Sequence, residues 1–262
     1  MRRHAFVIPA YGNSPHLREC LQSLQAQTRP SPIVVCTSTP YDGLESLVAA
    51  FGAKLVVHSP NAGIGHDWNM ALENAGTEWV TLAHQDDVYL PRFAEDTLAV
   101  IERHPDARLV MTGYGELAAG RVRVLTPMLV VKRVLQEMAF LGRGAIRACG
   151  AKRRLLWFGC PIPCPSVTLR LEHDAPRFRE DLRLNLDWYA WLRLTGESGA
   201  FVRVRRVSML HRIHPGSQTS DGIRAGDRAR EDLIMFSELW PAPIARALAR
   251  IYALAYETGA RA

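Results

Sequence analysis

An α/β fold with a mostly parallel central sheet flanked by helices, ending in a C-terminal helical extension, is what this sequence predicts. Three observations carry that expectation. The first 115 residues hold short, continuous apolar runs instead of alternating ones, as strands covered on both faces require. A segment with helical spacing of apolar residues follows most of these runs. The alternation then repeats down the chain at the spacing of crossover units.

The elements follow in order. Residues 5–9 (Ala5-Phe6-Val7-Ile8-Pro9) read as the first buried strand. Residues 15–27 place Leu17, Leu21 and Leu24 on one helical face. A strand over 33–36, a short helix over 44–51 and a strand over 54–58 come next. Residues 65–75 form a helix carrying Trp68 and Leu72, and 78–83 a fourth strand. Pro91 suits the first turn of a helix over 91–103, with Phe93, Thr97 and Ile101 inward. Residues 108–112 are a fifth strand. Beyond residue 115 the regularity breaks. Residues 120–126 read as a hairpin arm, 131–141 as a helix, and 142–165, rich in Gly, Pro, Cys and Arg, as irregular chain. A strand over 166–171, a helix over 186–195, a strand over 201–210 and a polar, Gly-rich loop over 211–226 follow. From Arg228 the chain reads as two helices broken at Trp240-Pro241-Ala242-Pro243. The expected organisation is one domain over 1–222, with halves 1–115 and 116–222, and a helical extension over 223–262.

Composition narrows the classes. The chain has 262 residues, 48% hydrophobic and 22% charged, enough for a sizeable core and unlike a disordered, collagenous or disulfide-dense chain. The net charge is +6, and only Lys54, Lys132 and Lys152 among 32 basic residues are lysine. A basic surplus suits nucleic acid, a membrane surface or a phosphorylated ligand. The arginines are dispersed, with no basic stripe interleaved with aromatics, so no nucleic-acid partner is expected. Five cysteines without metal spacing suggest reduced thiols. The first apolar run is too short for a signal peptide, and no stretch approaches the roughly 20 residues of a membrane span. A cytoplasmic protein, at most peripheral to a membrane, is expected.

Ligands of such sheets sit at the carboxyl ends of strands, and five polar clusters lie there or near helix starts. His84-Gln85-Asp86-Asp87 follows the fourth strand. Paired carboxylates suit Mg²⁺ or Mn²⁺ bridging a diphosphate, or serve as solvated loop charges. Pro9-Ala10-Tyr11-Gly12-Asn13-Ser14 is either a plain strand–helix turn or a cradle with Tyr11 against a nucleobase. Asn61-Ala62-Gly63 leads into a helix where Asp67 and Asn69 either cap or contact a ligand. Asp187 sits among Trp188, Tyr189 and Trp191. Desolvation there raises a carboxyl pKa and suits a general base, and the alternative is a cap on a core helix. His211-Arg212-Ile213-His214-Pro215-Gly216-Ser217 can recognise a diphosphate or complete a metal site.

Taken in order, these clusters resemble the inverting family 2 glycosyltransferases of the GT-A fold, over roughly residues 4–220. Phe6-Val7-Ile8-Pro9-Ala10-Tyr11 is similar to the opening strand and nucleotide-binding turn. Asn61, Gly63 and Asn69 match the Asn-x-Gly…Asn segment. His84-Gln85-Asp86-Asp87 stands at the Asp-x-Asp metal motif, Asp187-Trp188 at the catalytic base, and Arg212-Ile213-His214…Ser217 at the late Arg-x-His loop. The resemblance implies a GT-A-like fold and a nucleotide-sugar donor, with UDP-sugars the first expectation. It further implies a Mn²⁺ or Mg²⁺ ion on Asp86, Asp87 and His214, and Asp187 as base. Pro9, Tyr11, Thr37, Asn61, Gly63, Asn69, His84 and Arg212 would contact the donor. Three positions depart from the pattern. His84 replaces the first acid of the metal motif. Cys36-Thr37-Ser38-Thr39 replaces the base-reading acid after the second strand. Leu186 replaces the acid before Asp187. These leave two alternatives, an impaired sugar-nucleotide-binding relative or a nucleotidyltransferase. The acceptor would be a glycan or a lipid-linked molecule, with Trp157 and Phe158 in the region expected to meet it. The helix over 244–256, with Ile244, Leu248, Ile251 and Leu254 beside Arg246 and Arg250, suits packing on the domain, a second subunit or an anionic membrane.

Overall fold

The computed structural model describes residues 3–171, 177–214, 216 and 227–259, with side chains as far as 254. The opening run forms β1 (His4–Ala10), buried along almost its whole length. It is flanked by β2 (Ile33–Thr37) on one side and β4 (Trp79–Leu82) on the other, both parallel to it. β3 (Lys54–Val57) adds in parallel outside β2. The helices between them are α1 (Leu17–Gln25), α2 (Leu44–Ala50) and α3 (Ile64–Glu73). α1 buries Leu17, Cys20, Leu21 and Leu24, the stripe its spacing predicts. After β4 come a two-residue strand β5 (Val88–Tyr89), α4 (Phe93–Arg103) and the long β6 (Ala107–Ala118). α4 turns Phe93, Thr97 and Ile101 inward as expected, with Pro91 two residues ahead of its first turn.

The second half departs from simple alternation. β7 (Arg121–Arg123) returns along β6 as the expected hairpin arm, and α5 (Pro127–Phe140) follows, capped by the Thr126 hydroxyl on Leu129 N–H. The irregular stretch holds β8 (Ala145–Ile146) and α6 (Cys149–Arg154). β9 (Val167–Arg170) then inserts antiparallel between β4 and β6, so the order is β3-β2-β1-β4-β9-β6-β10-β5. α7 (Leu186–Leu194) leads to β10 (Ala200–Ile213), which runs parallel to β6 over its full length. The register of this pair shifts around Val207. A Cβ at Gly113 would lie 2.7 Å from the carbonyl oxygens of Arg205 and Arg206, so only glycine lets the bulged strand close on β6. The chain ends in α8 (Asp227–Leu239) and α9 (Ala242–Gly259), the two helices the Trp240-Pro241 break predicts. Among the described residues no helix is long and apolar enough to cross a membrane. All five cysteines are free thiols, with Cys20, Cys36 and Cys164 buried.

α7 sits in the largest apolar cluster, with Trp188 and Trp191 fully buried. Trp191 Nε1–H donates to Ile162 O, and Trp188 meets Phe236 of α8 edge-on at 5.1 Å. The start of α7 is secured by charge. Glu231 of α8 is completely buried, and its carboxylate accepts from the backbone N–H groups of Arg183, Leu184 and Asn185 at 2.8–2.9 Å. Asp232 beside it accepts from the Asn185 amide at 2.8 Å and pairs with Arg228. A carboxylate in front of a helix N-terminus complements its dipole and satisfies donors that the helix leaves open. Removing it leaves one buried and two partly buried N–H groups without their acceptor. Glu231→Ala is therefore expected to lose about 3–5 kcal/mol in urea unfolding. A loss below about 1 kcal/mol would show that water replaces the carboxylate at no real cost.

Candidate functional site

Polar side chains gather at the carboxyl ends of β1, β2, β4 and β10 and at the first turn of α7. At the end of β1 the chain turns after Pro9, and Tyr11 is left 58% exposed. The turn is tied to the one after β4 by a reciprocal pair. Tyr11 N–H donates to Gln85 Oε1 at 3.1 Å, and Gln85 Nε2–H donates to Tyr11 O at 3.2 Å. Gly12 N–H donates to the Thr39 hydroxyl at 2.7 Å. Thr37, at the end of β2, is buried, and its hydroxyl accepts from Thr39 N–H. Beside it the Ser38 hydroxyl donates to Asp67 Oδ2 at 3.0 Å.

α3 settles the alternatives for its polar residues. Gly63 precedes the helix, and no side chain caps it. Asp67 faces β2 with its second oxygen 3.7 Å from His58 Nε2. That oxygen and both His58 ring nitrogens are buried without a hydrogen-bond partner among the described residues. Asn69 is spent elsewhere. It donates to Phe178 O at 3.0 Å and accepts from Phe178 N–H at 2.8 Å, which pins the segment ahead of α7 onto α3. Gly65 permits this contact, since a Cβ there would meet Arg179 O at 2.7 Å. Asn61 and Gly63 lie exposed at the turn before α3.

The end of β4 and the end of β10 meet over a single carboxylate. Asp87 has no exposure, and its Oδ1 accepts from Arg212 N–H at 2.8 Å and from His211 Nδ1 at 3.1 Å. Burial pulls the His211 pKa down, but the Asp87 charge outweighs it and holds His211 above the usual imidazole value. Asp86 points the other way. Its Oδ2 lies 2.9 Å from His214 Nε2, and both side chains are about one-quarter exposed. Burial raises the Asp86 pKa, yet His84, the His214 bond and His211 together hold it below the ordinary carboxylate value. His16 stands edge-on to His214 at 5.1 Å. Arg212 Nε–H donates to Asp86 O, and its Nη2 pairs with Glu19 at 2.5 Å. His84 packs on Trp68, with its Nε2 buried and lacking a hydrogen-bond partner. Burial lowers its pKa, against the opposing charges of Asp87 and Asp86.

Asp187 occupies the first turn of α7, partly buried, and accepts from Trp188 N–H at 2.7 Å. Desolvation raises its pKa against the opposing pull of that bond, Arg228, Lys132 and His84, in the direction its aromatic neighbours imply. Lys132 of α5 lies over the Tyr114 ring at 5.4 Å and within electrostatic reach of both Asp187 and His211. Among the described residues no three His, Cys, Asp or Glu side chains converge as a complete metal cage.

The structure thus brings Asp86, Asp87, Arg212 and His214 together, with His84 and Asp187 near them. Asp87 is turned inward. Ser217 lies outside the described residues. Trp157 and Phe158 pack on Trp240, both at 5.7 Å. Sequence reasoning gave Gln85 no role within its motif and missed His16 and Lys132 as members of this region. Lys132 alone carried a signal, as one of three lysines in a chain of arginines.

Residues 5–153 match the model of the family described as glycosyl transferase family 2. An uncharacterised glycosyltransferase of Rickettsia typhi is 22% identical over 90% of this chain and 70% of its own. One of Haemophilus influenzae is 36% identical over 36% of this chain and 38% of its own. Solved structures share the fold. A Pyrobaculum calidifontis mannosyltransferase in complex with GDP-Man and Mn²⁺ aligns with a TM-score of 0.65 at 17% identity, covering 96% of this chain and 69% of that one. Staphylococcus aureus TarS in complex with UDP-GlcNAc aligns at 0.64 and 17%, covering 90% and 71%.

The Asp87–His211 pair makes a checkable prediction. Histidine NMR titration is expected to place His211 above the usual imidazole value in the native chain. In Asp87→Asn, desolvation acts unopposed by that charge, and the titration should move down. An unchanged midpoint would mean that Asp87 does not set the charge of His211.

Proposed function

The chain belongs to glycosyl transferase family 2, and from that premise we propose that it moves a sugar, with inversion, from a nucleotide-diphosphate donor to an acceptor hydroxyl, with Asp187 as the general base. The convergence of Asp86 with His214, 128 positions apart, at the carboxyl ends of two sheet strands carries this reading. The donor's diphosphate lies there, and Asp187 stands on the acceptor side. Its carboxylate takes the proton of the acceptor hydroxyl as that oxygen bonds to the anomeric carbon and the bond to the diphosphate breaks. The desolvated, raised-pKa environment makes Asp187 a better proton acceptor than a fully solvated aspartate.

The donor set fits a divalent cation. Asp86 is ionised and partly open, and His214 offers an imidazole nitrogen beside it. Mn²⁺ or Mg²⁺ needs only one or two such protein ligands when phosphate oxygens and water complete its shell. When bound, such a metal ion supplies charge stabilisation to the departing diphosphate. Asp87, fully enclosed, acts as the strut that seats His211 and Arg212, not as a third ligand. Arg212 adds positive charge beside the diphosphate. Tyr11 borders the base, and Asp67 supplies at the end of β2 the carboxylate that Thr37 and Ser38 lack. This supports a UDP-sugar as the first donor to try. His84 at the first position of the metal motif keeps a second reading open, a sugar-nucleotide-binding protein with weak transfer.

A thermal-shift panel of nucleoside diphosphates and sugar nucleotides, with and without Mn²⁺, tests the donor side. One nucleotide at about 100 times its Kd should stabilise the protein by about 2.7 kcal/mol, and only with metal. Silence across the panel counts against a nucleotide-sugar donor. Asp187→Asn should keep that stabilisation and lower transfer about 100- to 10,000-fold. Retained transfer moves the base elsewhere, and no transfer by the native chain favours the binding protein. The base must be ionised to act. Native kcat/KM should therefore fall as pH drops through the raised Asp187 pKa, a limb absent from the residual activity of Asp187→Asn.

A further inference from the structure

α5 is apolar on the side that faces water. Met128, Val131, Val134 and Met138 recur along its outer face at three- and four-residue spacing and are each 50–53% exposed. Its inner face is apolar too, with Leu129, Ala139 and Phe140 buried. A surface helix is polar on its solvent side, and an outward stripe as apolar as this one is one that something covers. The chain before it extends the patch, with Val122 57% and Leu125 74% exposed.

The charge around this patch has one sign. From residue 119 to residue 144 the chain carries Arg121, Arg123, Lys132, Arg133 and Arg143 against a single acid, Glu137. That acid is held in ion pairs with Arg203 and Arg205. Arg121, Arg123, Arg133 and Arg143 are exposed. Apolar side chains rimmed by arginine fit an anionic lipid surface, where the apolar face enters the headgroup region and the cations meet lipid phosphates. A two-fold contact with a second copy would set these arginines against themselves.

We propose that α5 and the segment from β7 into it seat the protein on an anionic membrane surface. The seat lies beside the acceptor side of the site. Lys132, on the inner side of α5, covers Tyr114 and is within electrostatic reach of Asp187, and Gln136 donates to Pro161 O at 3.0 Å. Membrane seating stands on the patch alone. Its consequence, that the acceptor is carried by a lipid, rests on the function proposed above.

Flotation of the full chain with vesicles tests the seat. The native chain should float with phosphatidylcholine vesicles containing about 30% phosphatidylglycerol, lose binding in high salt, and ignore pure phosphatidylcholine. Val131→Asp with Val134→Asp should cut the bound fraction about tenfold or more. Arg121→Glu with Arg123→Glu should do the same, since each arginine at the surface is worth about fivefold. All four positions are exposed, so melting temperature and nucleotide binding should not change. A native chain that does not float, or variants that float as it does, overturn the proposal. Loss of binding only on Ile251→Asp overturns it in favour of α9. A dimer dissolved by Val131→Asp with Val134→Asp overturns it in favour of a second copy. Nucleotide binding, measured on the same proteins, reports separately on the donor site.

Discussion

The site hangs on one buried carboxylate. Asp87 sits at the end of β4 with no exposure and binds the backbone and side chain of the end of β10, 124 and 125 residues away. Those bonds fix the direction in which β10 leaves the sheet. That direction brings His214 to Asp86 and lays Arg212 along the Asp86 carbonyl. A buried charge of this kind persists because its partners satisfy it, and each partner is held in turn by having the charge to bind. The bulge over Gly113 belongs to the same arrangement. It lets β10 change register against β6 before reaching Asp87.

A second pair of acids fixes the start of α7. α8 carries Glu231 and Asp232 into the core, and both spend their charge on the chain just before α7. Asn69 of α3 holds the same approach from the opposite side through Phe178. The start of α7, and Asp187 with it, is thereby clamped between α3 and the C-terminal helices. The C-terminal helices are part of that core, since Met235 and Phe236 lie in the same cluster as Trp188 and Trp191. A carboxylate held this way keeps its position without needing bonds from its own oxygens beyond one N–H.

The arginine surplus divides by partner. Much of it is neutralised locally, as in Arg29–Glu102, Arg92–Glu95 and Arg147–Asp106, exposed pairs that contribute little stability. Arg212 is drawn into the site. The arginines around α5 lie where acids are scarce and apolar side chains face outward, so charge and hydrophobicity there point to one partner.

Local pattern alone is enough to place most of the elements and to single out candidate groups for the site. Continuous apolar runs made β1, β2 and β4 legible, since a strand covered on both faces needs apolar residues at every position. Period alone made α1, α4 and α7 legible. Motif order marks Asp86, Asp187 and His214 as candidates, and the fold brings Asp86 and His214 within 2.9 Å of each other. Tertiary structure decided what no local pattern encodes. β9 runs antiparallel between β4 and β6 because its partners are distant in the chain, and a strand's direction leaves no trace in its own residues. β5 and β8, at two residues each, are too short for any period to register. The acids of the site look alike in sequence and differ only in their neighbours. Asp87 became a strut because β10 closes over it, and Asp86 stayed partly open, with His214 as its side-chain hydrogen-bond partner among the described residues. Asp67 came to accept from Ser38 because α3 packs beside β2. Each role follows from burial and partners supplied by other segments, and those exist only once the chain has folded.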